Sequence, residues 1–178
     1  MDMDARTHRM AAAAVIGAAY AVLTMALAPI SYGPAQFRIS EVLCILPYFL
    51  PFSSWGLFAG CLIANLITGN IFDIVFGSLA TLCAALCTAA VGRHGDKNKL
   101  WRCALACLMP VVWNGAVVGA VLAWGYDGYN IFRYPGVYAL YGVQVAGEEA
   151  AVLYILGLPA MKLLPGRKFF DDIVAKYQ

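Results

Sequence analysis

Two adjacent carboxylates, Glu148 and Glu149, interrupt a long apolar run in the last third of this 178-residue chain. Other charged groups stand at the starts of apolar runs: Arg38 and Glu41 at one, Asp73 at another. Uncharged polar side chains, Asn65, Asn114 and Gln144, lie within such runs. A charge at the centre of a membrane helix costs roughly 2.5–3.5 kcal/mol on the most permissive scale, so it usually faces protein or water and has a task there. On a helix, Tyr141, Gln144 and Glu148 share one face at spacings of three and four, with Tyr138 a turn above. Together with Arg38, Glu41, Asn65 and Asp73 they describe a cavity with hydrogen-bonding groups and aromatic walls, of a size for a small organic molecule. Glu149 is turned about 100° from Glu148, toward Gly142, Val145 and Val152, and is expected to stay protonated or to bond to a neighbouring helix instead.

Simpler roles compete for the same residues. Arg38 and Glu41 could form an ion pair at head-group level. The Asp73 carboxylate could cap a helix N-terminus. Asn65 and Asn114 could be hydrogen-bonding glue between helices. Glu148 has the fewest structural alternatives, because a carboxylate deep in a membrane rarely serves packing alone.

Catalytic constellations are missing. The sequence has no G-x-x-x-x-G-K-[ST] loop and so cannot hydrolyse ATP by that route. His8 and His94 lie in polar segments far from the carboxylates. The paired Glu resembles the motif of intramembrane CAAX-type proteases, but the Arg required four residues on is Leu153 here. Cys83/Cys87 and Cys103/Cys107 are each one helical turn apart, yet they lie in apolar runs with no nearby His. There a cysteine acts as a small polarizable hydrophobe rather than a metal ligand. The expected protein is therefore not an enzyme and holds no metal or cofactor.

The elements that must position these groups follow from composition. Hydrophobic residues make up 62% of the chain and charged ones 12%, with mean hydropathy +0.74. A soluble domain carries about a quarter charged residues to wet its surface. The solvent of this chain is therefore mostly lipid, and the net charge of +2 offers no basic arm for nucleic acid. Apolar segments run over about 11–28, 38–50, 55–69, 72–92, 100–125 and 136–164, in a single membrane domain spanning 1–178. All are expected to be helical, since lone strands cannot satisfy their backbone in lipid. Segment 38–50 is short for a crossing that takes about 20 residues.

Charge asymmetry decides the count. With six spans and both termini cytoplasmic, every one of the twelve Lys and Arg residues except Arg38 and Arg133 falls on the cytoplasmic side. If 38–50 did not cross and the N-terminus stayed cytoplasmic, the loop from Arg93 to Arg102 would move outside and the cations would no longer favour the cytoplasmic side. Trp55, Trp101, Trp124, Tyr126, Tyr129 and Tyr134 fall near the expected interfaces, as aromatic belts do. The start, with Arg6 and Arg9 before an apolar run, also resembles a signal peptide. Pro29 stands where the cleaved bond would be, so the segment is expected to be retained. Along it Ala14, Gly17, Ala21, Thr24 and Ala28 form a stripe of small residues, with Ala18 beside them. Such a stripe admits a second helix at close range, either of the protein itself or of a partner subunit.

Several stretches carry a resemblance. Ala28-Pro29-Ile30-Ser31-Tyr32-Gly33 and Gln36-Phe37-Arg38-Ile39-Ser40-Glu41 look like the signature of the queuosine-precursor transporter family, substrate-binding S components of energy-coupling factor (ECF) transporters. Ala64-Asn65-Leu66, Asp73 through Thr81, and Gly147-Glu148 leading to Leu156-Gly157-Leu158-Pro159 are similar too. The resemblance covers nearly the whole chain from Ala11 to Leu164; the acid at Glu149 departs from it.

This resemblance implies an all-α membrane bundle of six helices with cytoplasmic termini. It implies capture of queuine or a related 7-deazaguanine outside the cell membrane, with ATP hydrolysed by partners: a transmembrane coupling subunit and two cytoplasmic ATPases. The docking surface would be the small residues of the first helix, Ala14, Gly17, Ala18 and Ala21. The flat ligand would stack on Trp113 or Tyr138, and carboxylate, Asn or Gln groups would meet its guanine-like edge. Two other readings stay open: a carrier or S component for another vitamin-like solute, and a membrane assembly protein that binds no small molecule.

Overall fold

The computed structural model describes residues 3–32, 37–93 and 95–177, with side chains from Arg6 onward. Gly33, Gln36 and His94 lie outside the described residues. Every regular element among the described residues is helical. Helix α1 (Met3–Ala26) is followed by the short α2 (Ala28–Ser31) and a 3₁₀ helix over Ile39–Tyr48. Then come α3 (Ser53–Asn65), α4 (Ser78–Arg93), α5 (Leu100–Ala120) and α6 (Pro135–Val152), and finally α7 (Leu158–Leu163) and α8 (Lys168–Tyr177). Three π-helical turns, Asp73–Gly77, Val121–Tyr126 and Leu153–Gly157, open α4, extend α5 and join α6 to α7.

Among the described residues, four stretches are long and apolar enough to cross a membrane: Arg6–Ala26, Asp73–Arg93, Leu100–Tyr126 and Pro135–Leu163. The second and third expected spans are shorter helices, Ile39–Tyr48 and Ser53–Thr68. Their lengths have local causes. Pro47 lacks the N–H of a helix interior. The other short helix stops at Gly69, whose φ of 65° is left-handed. The 3₁₀ winding offsets part of the shortfall. At about 2.0 Å rise per residue, ten residues reach about 20 Å, against about 15 Å as an α-helix.

Contacts identify which parts share an end of the bundle. Arg9, Tyr48 to Phe52, Gly92, Arg93, Lys97 and Tyr177 approach one another at one end, where the Tyr48 hydroxyl donates to the Lys97 carbonyl at 3.0 Å. Elsewhere, Asn70 Nδ2 donates to the Gly125 carbonyl at 2.9 Å, and the Tyr32 hydroxyl donates to the Ala64 carbonyl at 2.6 Å. The first and last described helices thus both bring residues to the end that holds the Arg93–Lys99 loop.

Several helix pairs among the described residues lie at backbone contact. A Cβ on Gly17 would run into the Gly56 carbonyl, and one on Gly60 would run into the backbone of Gly17. Between α5 and α6, a Cβ on Gly119 would meet Gly142 Cα at 2.6 Å. The apolar core fills in around these crossings: Tyr20, Cys44, Leu57 and Cys61 on one side, Phe49, Cys107, Leu153 and Met161 on the other.

Candidate functional site

Between these clusters lies a set of buried polar side chains. The coil before the 3₁₀ helix supplies Arg38 and its first turn supplies Ser40 and Glu41, all buried. Helix α1 fixes that turn. The Thr24 and Ser40 hydroxyls share a hydrogen bond of 2.6 Å, and the Tyr20 hydroxyl donates to Glu41 Oε1. The Cys44 thiol donates to Glu41 Oε2 at 2.9 Å. Arg38 does not pair with Glu41; its Nη2 lies 3.6 Å from Asp73 Oδ2, an ion pair longer than a hydrogen bond. Its guanidinium also stands 5.8 Å from the centre of the Tyr32 ring.

Asp73 occupies the first position of a π-helical turn, and its side chain makes no capping bond to the helix. Asn65 braces that turn, donating to the Asp73 carbonyl at 3.1 Å and reaching Ser78 Oγ at 3.4 Å. A Cβ at Gly77 would stand 2.7 Å from Asp73 Oδ1, so glycine leaves room for the Asp73 carboxylate to lie over its own turn. Thr81, one turn on, bonds back to the Gly77 carbonyl at 3.3 Å.

From the other side come α5 and α6. Arg38, Glu41, Gly77, Thr81, Asn114, Val118, Val145 and Glu149 line one cavity. Its volume is about 20 Å³, room for about one water molecule. The small-molecule volume expected from the sequence is therefore not open in this conformation, because the side chains of four elements close on it. Arg38 Nε, Asn114 Oδ1 and Glu149 Oε1 are buried with no hydrogen-bond partner among the described residues. Such groups are costly to leave unpaired and therefore mark where a polar ligand or solvent belongs. Three carboxyls, Glu41, Asp73 and Glu149, surround the single guanidinium of Arg38. That acid excess suits a guest rich in N–H donors.

The expected site residues therefore divide. Arg38, Glu41 and Asn114 line the cavity, with Asn65 and Asp73 directly behind it. Tyr138, Tyr141, Gln144 and Glu148 do not. Gln144 Nε2 donates to Glu148 Oε1 at 3.1 Å along their own helix face, the Tyr141 hydroxyl bonds Asp127, and the Tyr138 hydroxyl donates to the Ala116 carbonyl at 3.2 Å. Trp113 points to α4, its Nε1 donating to Cys87 Sγ at 3.4 Å. The face of α6 that turns inward carries Val145, Glu149 and Val152, all buried. It does so because Gly142 lets α6 ride against Gly115 and Gly119 of α5. Glu149, Thr81, Gly77 and the Tyr20–Glu41 bond were not read as site features from sequence. The signal for Glu149 was its small and apolar company, Gly142 and Val145, the pattern of a helix–helix contact.

The small-residue stripe of α1 also divides. Gly17, Ala21 and Thr24 are buried, Gly17 against α3. They are internal packing and cannot themselves meet a partner. Ala14 and Ala18 are exposed.

Comparison with known proteins bears on this arrangement. Residues 10–165 match a family model described as QueT transporter. A Lactococcus lactis subsp. cremoris (strain MG1363) protein described as "Queuosine precursor transporter QueT" is 37% identical over 79 residues, 43% of this chain and 47% of that protein. The alignment thus spans about half the length of that relative. No solved structure matches the chain. The family match runs from α1 through α7 and takes in every residue that lines the buried cavity, and the chain belongs to the QueT transporter family.

Proposed function

We propose that this protein is the membrane-embedded substrate-capture subunit of an ECF-type importer, and that it binds queuine or a related 7-deazaguanine. The observation that carries the reading is the convergence of Arg38, Glu41, Asn114 and Glu149 on one buried cavity in an otherwise apolar chain. A guanine-like edge presents adjacent N–H donors that a carboxylate accepts in a bidentate way, and a carbonyl that Arg38 or Asn114 can meet. Glu149 and Glu41 are the acceptors for the donor edge. The name of the Lactococcus relative agrees with that ligand class.

The topology belongs to the same proposal: six crossings, both termini cytoplasmic, in a bacterial plasma membrane. Cation placement favours it, and so does the gathering of Arg9, Arg93, Lys97 and Tyr177 at one end. The polar cluster then faces the outer half. The sequence carries no phosphate loop, so energy comes from a coupling subunit and two ATPases, with the exposed Ala14 and Ala18 of α1 as the docking face. No reaction is catalysed. A fused two-ring base is many times larger than one water, so loading requires the α5–α6 pair to move from the Arg38–Glu41 turn.

A second reading, a membrane assembly protein without ligand, draws on the small volume of the cavity. The unpartnered buried atoms weigh against it. Titration calorimetry on the purified full chain decides. Binding of queuine or a precursor base, with guanine and unrelated vitamins inert, is the expected result. Heat from another vitamin alone moves the protein to a different substrate class, and no heat from any of them favours the assembly role.

A further inference from the structure

A second cavity opens at the end of the bundle that carries the first and last described helices. Its volume is about 270 Å³, and its wall combines Arg9, Arg93 and Lys97 with Tyr48, Phe49, Phe52 and Tyr177. Among the described residues that line it there is no carboxylate. One side is thus cationic and the other apolar and aromatic, which fits neither a small inorganic ion nor a neutral lipid. The walls are braced. The Tyr48 hydroxyl holds the Lys97 carbonyl, and a Cβ on Gly92 would strike the Tyr48 backbone, so the end of α4 sits directly on the 3₁₀ helix. Arg102 donates to the Val91 carbonyl near the end of α4 and Lys162 to the Asn98 carbonyl in the loop, holding this corner from two further helices. Phe170 and Tyr177 of α8 pack edge-on or tilted against Phe49 and Phe52, at 5.1 and 5.3 Å between ring centres.

We propose that this cavity binds the phosphodiester head of an anionic phospholipid, with Arg93 and Lys97 at the phosphate and the aromatic floor under the first carbons of the acyl chains. Lys and Arg near a membrane surface attract acidic lipid, and here they converge on an open pocket with an aromatic floor. The lipid would pin α8 and the Arg93–Lys99 loop against the bundle. Membrane embedding is required for this assignment; the identity of the transported substrate is not.

The test uses the purified full chain in detergent, scored by thermal shift and by native mass spectrometry. Phosphatidylglycerol is expected to raise Tm by several degrees and to remain bound after gentle activation, while phosphatidylcholine does neither. In the double variant Arg93→Gln, Lys97→Gln, retention of phosphatidylglycerol should fall at least tenfold, with deazaguanine affinity unchanged. Equal stabilisation by the two lipids, or undiminished retention in the double variant, overturns the proposal. Inorganic phosphate acting as well as phosphatidylglycerol would make this a free-anion site and sink the lipid assignment, as would an acidic peptide that outcompetes the lipid. Loss of base binding with lipid binding intact would count against the transport reading alone.

Discussion

Glu148 and Glu149 differ by one position and by the face of α6 they stand on. Glu148 is half-buried, its Oε1 bonded by Gln144 on its own helix while its Oε2 has no hydrogen-bond partner among the described residues. Glu149 is buried, lines the cavity and leaves Oε1 without a partner. Replacing its carboxylate by an amide keeps the shape but turns one acceptor into an NH₂ donor aimed at ligand N–H. An unpaired buried donor costs roughly 1–3 kcal/mol, and 1.4 kcal/mol is a decade of affinity. Glu149→Gln should therefore weaken deazaguanine binding at least tenfold by calorimetry, and Glu148→Gln by less than threefold. The reverse order would place the site on the other face of α6. Asn114→Leu offers a second check at this scale, because it removes an acceptor from the cavity without adding charge. A loss of binding with an unchanged melting temperature is expected, and a lowered melting temperature with unchanged affinity would make Asn114 structural glue.

Among the elements, α1 shows how one stripe can do two jobs. Gly17 and Gly60 allow α1 and α3 to touch along their backbones, whereas Ala14 and Ala18 leave a shallow apolar surface exposed. A side chain at Gly60 has backbone, not a flexible side chain, in its way. Overpacking of that kind costs about 1–3 kcal/mol or more, so Gly60→Leu should lower the melting temperature markedly and cut the yield of folded protein. By contrast, Ala14→Leu with Ala18→Leu should leave the isolated protein stable and able to bind its base. Assembly with the coupling module should be lost, since close approach is what small residues permit. Unchanged co-purification of the double variant would move the docking face off α1. The long 3₁₀ helix is the other element of note. Its three-residue repeat stacks Glu41, Cys44 and Pro47 on one side, all buried, and so carries a carboxylate, its thiol donor and a helix stop along one edge.

For the whole molecule, the decisive quantity is which side of the membrane each end occupies. Single cysteines at Lys97 and Lys176 in a cysteine-free background should resist an impermeant maleimide on intact cells, and one at Asp127 should react. Labelling at the Lys97 position from outside would remove the crossing by the 3₁₀ helix and with it the six-span arrangement. The experiment is sharp because that helix, at about 20 Å by its rise, is the shortest of the six proposed crossings.

Much of this was legible in the residues themselves. Low charge and long apolar runs required helices in lipid, because the backbone has no other way to satisfy itself there. The rarity of buried charge drew attention to Arg38, Glu41 and Asp73, and the four longest helices fall on apolar segments read from sequence. What sequence could not decide was direction. A helical wheel places Glu148 with Gln144 and Tyr141, and Glu149 with Gly142 and Val145, but is silent on which face turns inward. That choice belongs to Gly115 and Gly119 on α5, nearly thirty positions away, which accept only the Gly142 face at close range. Likewise Ala14 and Gly17 are alike in type, and only the presence of Gly56 and Gly60 opposite buries one and leaves the other to lipid or a partner. Composition determines the solvent a chain must fold in, since transfer energies add along the sequence. Which polar group meets which depends on backbone approach between distant helices, and that is decided only when they pack.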